Sequence, residues 1–356
     1  MTAPETLIDP RCVKCGEITD RRSPNGRAVC ADCAALALRS RTSWTAAQLQ
    51  STDFPEPRWA IPGVVAEGTT VLAGRPKLGK SWLALGWAVS VATGGKAMDT
   101  REVEEGGALV LALEDSPRRL RTRLDKLFAP GDPWPDRLRF ETSWPKLDAA
   151  GCEQLSAHLD ADPSIRLVVI DTLEKARPPR KGKDAYAEDY AALGTIQTLS
   201  QAHGVAVVIV HHDRKGGADD FLDAVLGTSG ITGAVDTVAV LARERGRLDA
   251  VLNVTGRDLD EELEIALEFD RQSGWWRELG PAEVWRLDRE RAEVVALFDL
   301  VNEVTASIVC EELDISPEAA RQRLSRMARD GTLASPKRGV YTLSTPVTTV
   351  TTFTRT

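Results

Sequence analysis

Gly74-Arg75-Pro76-Lys77-Leu78-Gly79-Lys80-Ser81 fills every specified position of the phosphate-binding loop G-x-x-x-x-G-K-S. Glycines at both ends let the backbone turn its N–H groups inward around phosphate oxygens. The helix that follows adds its positive N-terminal end. In such a loop Gly74, Pro76, Lys77 and Gly79 shape the cradle, Lys80 reaches the β- and γ-phosphates, and Ser81 ligates Mg2+. The flanks suit the motif. Thr69-Thr70-Val71-Leu72-Ala73 reads as a short buried strand, and residues 82–89 read as a buried helix. Strand, loop and helix in that order are the context this chemistry needs.

Outward from the loop, residues 61–280 alternate apolar, β-branched runs with helical stretches, the pattern of an α/β domain with a mostly parallel sheet. Strands are predicted at 71–73, 107–113, 167–170 and 205–210, with helices near 80–93, 117–128, 151–161 and 185–203. Residues 237–242 and 250–254 give further strands, whose close spacing predicts an antiparallel extension of the sheet. The alternating stretch 263–269, followed by Gly274-Trp275-Trp276, predicts a terminal hairpin.

Three strand ends carry chemistry. Arg166-Leu167-Val168-Val169-Ile170-Asp171 is an apolar strand ending in a carboxylate, so Asp171 is placed to hold the hydration shell of Mg2+. The strand before Glu114-Asp115 follows the phosphate-loop helix, and Glu114 is placed to orient and activate an attacking water. A helix cap before Ser116-Pro117 is the alternative for this pair, and it suits Asp115 better than Glu114. The strand at 205–210 ends in His211-His212, either of which can sense the terminal phosphate. Neighbouring strand residues point to opposite faces, so one of the two faces the nucleotide.

The chain has 356 residues and a net charge of −8, which argues against a globally basic coat but not against local basic patches. No apolar run is long enough to span a bilayer, and the first residues lack a basic-then-apolar leader, so a cytoplasmic protein with no membrane partner is expected. Among six cysteines, Cys12-Val13-Lys14-Cys15 and Cys30-Ala31-Asp32-Cys33 form two C-x-x-C corners. A four-thiolate Zn2+ ribbon over residues 1–35 is the reading, with a disulfide pair or a redox site as alternatives. A short helix at 34–39 is expected to lead into a linker over 36–60. The ATPase-type core then spans 61–285. Residues 288–345 read as a separate small domain. A helix there starts at Ser316-Pro317-Glu318, carries Arg321, Arg323, Arg326 and Arg329, and ends at Asp330-Gly331 before a hairpin near 337–341. The Thr-rich tail, 346–356, is expected to be disordered.

These features together resemble the RecA-like ATPase superfamily, in particular the RepA-type hexameric replicative helicases of plasmids and phages, over about residues 55–280. The marks are Pro76-Lys77-Leu78-Gly79-Lys80-Ser81, Leu113-Glu114-Asp115-Ser116, Ile170-Asp171-Thr172-Leu173, His211-His212 followed by Lys215, and Gly256-Arg257-Asp258. The resemblance implies a homo-hexameric ring with ATP and Mg2+ between subunits. It implies an arginine finger, for which Arg257 is the candidate and Arg243 and Arg245 are alternatives; a surface pair of Arg257 with Asp258 or Asp260 is the plainer reading. It implies loops around single-stranded DNA in a central channel, the first carrying Lys175, Arg177, Arg180, Lys181 and Lys183. The second loop, near 216–230, carries Asp219, Asp220 and Asp223, which departs from a simple DNA grip. The C-terminal domain resembles a winged helix, with Arg321 and Arg326 on its recognition helix and Lys337 and Arg338 on its wing, set to contact duplex DNA or a protein. The expected function is an ATP-hydrolysing DNA motor, a replicative helicase of a phage or plasmid working with other replication proteins. A DNA-binding ATPase switch without unwinding, and a signalling ATPase that does not bind DNA, are the rivals.

Overall fold

The protein is described by a computed structural model covering residue 38 and residues 41–179, 185–212, 230–243 and 249–344. Cys12, Cys15, Cys30 and Cys33, most of the helix expected at 34–39, Arg180, Lys181, Lys183, Arg245, residues 216–229 and the tail 346–356 lie outside the described residues.

The segment expected as linker carries structure of its own. Helix α1 (Ala46–Ser51) is closed by a capping box in which Thr45 accepts from the Gln48 amide and Gln48 accepts from the Thr45 amide. Strands β1 (Trp59–Ile61) and β2 (Val65–Ala66) form an antiparallel pair, and β3 (Gly68–Ala73) follows. Then come α2 (Lys80–Thr93), β4 (Lys96–Ala97), β5 (Arg101–Glu102), β6 (Gly107–Ala112), α3 (Pro117–Leu127), β7 (Leu138–Glu141), α4 (Ala149–Ala161), β8 (Ile165–Asp171), α5 (Leu173–Ala176), α6 (Ala185–His203) and β9 (Ala206–Val210). The last elements of this unit are α7 (Gly230–Gly233), β10 (Thr237–Ala242), β11 (Asp249–Gly256), β12 (Leu263–Phe269) and β13 (Trp276–Pro281).

Among the described residues one nine-stranded sheet runs β13-β12-β11-β10-β3-β9-β8-β6-β7. From β10 to β7 every neighbouring pair is parallel, whereas β11 pairs antiparallel with both β10 and β12. The central parallel strands are apolar on both faces because helices cover both. Leu167 and Val169 of β8 join Leu83, Trp87 and Val91 of α2 in one core. Val168 and Ile170 of the same strand join Leu155 of α4 and Leu193 and Ile196 of α6 in the other. Alternation along one strand thus builds a three-layer domain. Crossovers through helices place the four strand ends singled out by sequence, those of β3, β6, β8 and β9, side by side.

A second compact unit begins at Leu279, part-way along β13. Its first helix, α8 (Ala282–Ala296), starts ahead of the expected boundary at 288, led by Pro281 and an acid, Glu283, in its first turn. A short 3-10 turn (Leu297–Asp299), β14 (Val304–Thr305), α9 (Ala306–Leu313), α10 (Pro317–Arg329), β15 (Leu333–Lys337) and β16 (Val340–Leu343) complete it. Ser316 caps α10 with Pro317 in the first turn, as its sequence dictates. The strands pair in the order β14-β16-β15 beside a core of Val294, Val304, Val309, Leu324 and Met327.

Candidate active site

The loop after β3 bends through three positive φ angles, Gly74 (145°), Lys77 (65°) and Gly79 (103°). A side chain at Gly74 would collide with the carbonyl oxygen of Leu241 in β10, and a Cβ at Gly79 would lie 2.9 Å from Cζ2 of Trp276. Helix α2 opens on Gly79 with no side-chain cap, leaving its first amides to a ligand. Lys80 is buried, and its Nζ donates to the carbonyl oxygens of Gly74 (2.6 Å) and Arg75 (2.9 Å).

Asp171 closes β8, in register with Ala112 of β6 and Val210 of β9. Burial pushes its carboxyl above the usual carboxylate range; the Ser81 hydroxyl bonded to it and the Arg123 guanidinium pull it down, and Glu114 and Asp115 push it up. Its Oδ1 is buried with no hydrogen-bond partner. An orphaned anionic oxygen beside a serine hydroxyl fits a hard cation, so Ser81 and Asp171 suit Mg2+. No cluster of three potential ligands stands elsewhere among the described residues. That suits an ion held by two protein oxygens and by phosphates.

Glu114 lies exposed just beyond β6, and its Oε1 accepts from the Thr172 hydroxyl at 2.9 Å. The cap of α3 is Ser116, which accepts from the Arg119 amide, so the capping alternative falls on neither acid. Asp115 instead anchors Arg119 (3.0 Å) and Arg123 (2.6 Å). His211 donates its amide to the Leu72 carbonyl, while His212 feels the charges of Lys80 and Glu114. Burial, then the Lys80 charge, lowers the His212 pKa, which Glu114 partly restores, and Nδ1 of its ring is a buried atom without a partner. His212 is therefore a neutral imidazole at pH 7.

Lys80, Ser81, Glu114, Asp171 and His212 thus meet at the carboxyl ends of β3, β6, β8 and β9, where open parallel sheets bind ligands. The family described as AAA domain matches residues 35–218, just over half of the chain. The chain belongs to the AAA-domain family. No curated protein matches it. Among solved structures it is similar to one described as an ATPase domain, at 14% identity and a TM-score of 0.47, over 60% of this chain and 85% of that one. It is also similar to a DnaB-like replicative helicase described with its interactions with primase, at 13% identity and a TM-score of 0.48, over 65% of this chain and 66% of that one.

Other predicted residues of this AAA domain lie elsewhere. Arg257 follows β11 beside Thr237, which pairs with Thr70 near the start of β3. That is the sheet end opposite the phosphate loop, a six-residue strand or roughly 20 Å away. Its ion pair is with Asp236 (3.2 Å), whose carboxylate also accepts from the amide and hydroxyl of Thr69 at the start of β3, and its charge acts on Asp258 as well. Arg257 does not reach its own phosphate loop. Arg243, by contrast, follows β10 and donates to the Lys77 carbonyl at 3.4 Å. Lys175 lies in helix α5 rather than a loop, and Arg177 forks onto Glu174 at 2.8 Å.

In the second unit, Arg321, Gln322, Ser325, Arg326 and Arg329 line one shallow groove of α10. Arg323 turns inward to Glu290 (3.4 Å) and Glu293 (3.2 Å) of α8. Arg326 also reaches Glu290, Lys337 pairs with Glu303, and Arg338 is exposed at the hairpin turn.

Sequence reasoning missed Thr172, Arg123 and Trp276. Thr172 was readable, being the residue after the strand-end Asp171. Trp276 was not, since 197 residues separate it from the Gly79 it touches.

Proposed function

We propose that this AAA domain is a RecA-like motor that hydrolyses ATP to move on single-stranded DNA, as a replicative helicase of a phage or plasmid. The observation that carries the hydrolytic part is the meeting of Lys80, Asp171, Glu114 and His212 at four adjacent strand ends. Bound at Ser81 and Asp171, Mg2+ would neutralise charge on the phosphate oxygens. Glu114, held by Thr172, orients a water and takes its proton. Lys80 exchanges the loop carbonyls for phosphate oxygens. His212, uncharged beside Lys80, follows the terminal phosphate without adding a second cation. Arg257, remote from its own loop, serves the phosphate of a neighbouring subunit in a homo-hexamer.

The DNA side of the proposal is supported by the motif resemblance and by the basic residues after β8. The second unit is proposed as a winged helix, with the α10 groove and the Arg338 hairpin meeting duplex DNA, and the paired cysteines as a Zn2+ ribbon. A second reading, an ATPase switch that binds DNA without unwinding it, is favoured by the engagement of Arg177 with Glu174.

The test is ATP hydrolysis with and without single-stranded DNA, with Lys80→Ala as the blank. Stimulation that the variant loses supports the motor, and unwinding of a forked duplex follows. Hydrolysis indifferent to single-stranded DNA overturns it in favour of a duplex-binding switch or a protein-directed ATPase.

A further inference from the structure

The Gly79 carbonyl oxygen has two donors. The Leu83 amide reaches it at 3.0 Å from the next turn of α2, and the indole N–H of Trp276 reaches it at 3.1 Å from β13. Both lone pairs are thereby engaged. The peptide joining Gly79 to Lys80 is planar, so fixing its carbonyl fixes the Lys80 N–H in the opposite direction. Lys80 opens α2, so that direction is out of the helix N-terminus, on the side of the loop. Gly79, with φ of 103°, has the backbone freedom to let this peptide turn, so a restraint from outside the helix matters here.

Trp276 is built to supply that restraint. It is 2% exposed, and its ring stands 5.0 Å from the Phe269 ring, which in turn stands 6.0 Å from Trp82 of α2. The indole therefore has little room to swing away from Gly79. We propose that Trp276 is a positioning residue of the phosphate loop: its N–H aims the Lys80 amide at the phosphates of the bound nucleotide. It touches no reacting atom, and it acts through the Gly79 carbonyl. This inference rests on the proposed ATP binding.

Trp276→Phe keeps most of the ring and removes the donor. The dissociation constants for MgADP and MgATP, read with a fluorescent analogue, are expected to rise about 3- to 10-fold, the worth of one net hydrogen bond. KM is expected to rise in parallel, with kcat changed by less than about 2-fold, because the Lys80 amide binds ground and transition states alike. Phe269→Leu is the packing control. It loosens the same indole but leaves its N–H, so it lowers the melting temperature and costs less nucleotide affinity than Trp276→Phe. Trp276→His returns a ring donor and recovers part of the affinity. All affinities are compared at a temperature where circular dichroism shows each variant folded.

Equal affinity in wild type and Trp276→Phe overturns the inference, as does an equal loss in Phe269→Leu. If the wild type itself shows no nucleotide binding that Lys80→Ala removes, the fault lies with the ATP-binding reading instead.

Discussion

Asp171→Asn is expected to stabilise the nucleotide-free protein while disabling its Mg2+-dependent chemistry. The Asp171 carboxylate is 8% exposed, and its Oδ1 has no partner. Each pKa unit by which burial raises the carboxyl represents about 1.4 kcal/mol of stability lost while it is ionised. Asparagine removes that penalty and the repulsion from Glu114 and Asp115, and loses the attraction of Arg123. Its amide is left without an acceptor at a cost of roughly 1–3 kcal/mol, less than that of an ionised oxygen in the same place. The net change is therefore a gain, and each kcal/mol of it raises the melting temperature by ~2–4 °C for a domain of this size. The sign with pH follows from linkage. A carboxyl whose folded pKa lies above its unfolded value binds more protons folded than unfolded in the window between the two, so this group's penalty shrinks as pH falls through its raised pKa. Wild type should therefore lose its disadvantage to the variant on acidification. Melting is followed by circular dichroism from pH 7 to pH 4, and Mg2+-dependent nucleotide affinity and hydrolysis at pH 7. A variant that melts lower at pH 7, or that keeps Mg2+-dependent hydrolysis within 10-fold of wild type, would refute the reasoning.

Glu114→Gln is expected to bind MgATP normally and to lose about 10²–10⁴ in kcat, measured by phosphate release, whereas Thr172→Val, which frees the same carboxylate, costs nearer 10-fold. Burial lowers the His212 pKa below its unfolded value, so the unfolded chain binds the extra proton first and stability from this group is lost as pH falls through about 6.5; a His212→Asn variant should show a shallower fall in melting temperature between pH 7 and pH 5. In the second unit, Arg323→Ala removes the cation that bridges Glu290 and Glu293, leaving them Arg326 and Arg289, and should cost up to about 1 kcal/mol in denaturant unfolding. Arg321→Ala should leave unfolding unchanged and reduce the salt dependence of duplex binding by about one ion.

What the sequence showed and what it hid divide along a physical line. The phosphate loop, the strand ends at Asp171 and Glu114, and the cap at Ser316 are local: their chemistry sits within a few residues, and so does their signal. The buried parallel strands were equally legible, because helices on both faces demand apolar runs. Strand β7 was not. Leu138-Arg139-Phe140-Glu141 is half-exposed at the sheet edge and owes its form to pairing with β6. Helix α1 could have been found from Thr45-Ala46-Ala47-Gln48, whose capping box is written in order. The contact of Trp276 with Gly79 and that of Arg257 with Asp236 join distant parts of the chain through the sheet, and no local pattern encodes them.

Lys80 gives a last consequence. Its ammonium donates to two carbonyls of the loop that it serves, and it is almost fully shielded from water. A ligand must out-compete those dipoles for the ammonium, and the competition scales with the negative charge it brings within reach. A diphosphate brings more of it than a monophosphate. On the proposed function, the loop thereby weighs anion charge, favouring chains of two or more phosphates before any base or sugar is read.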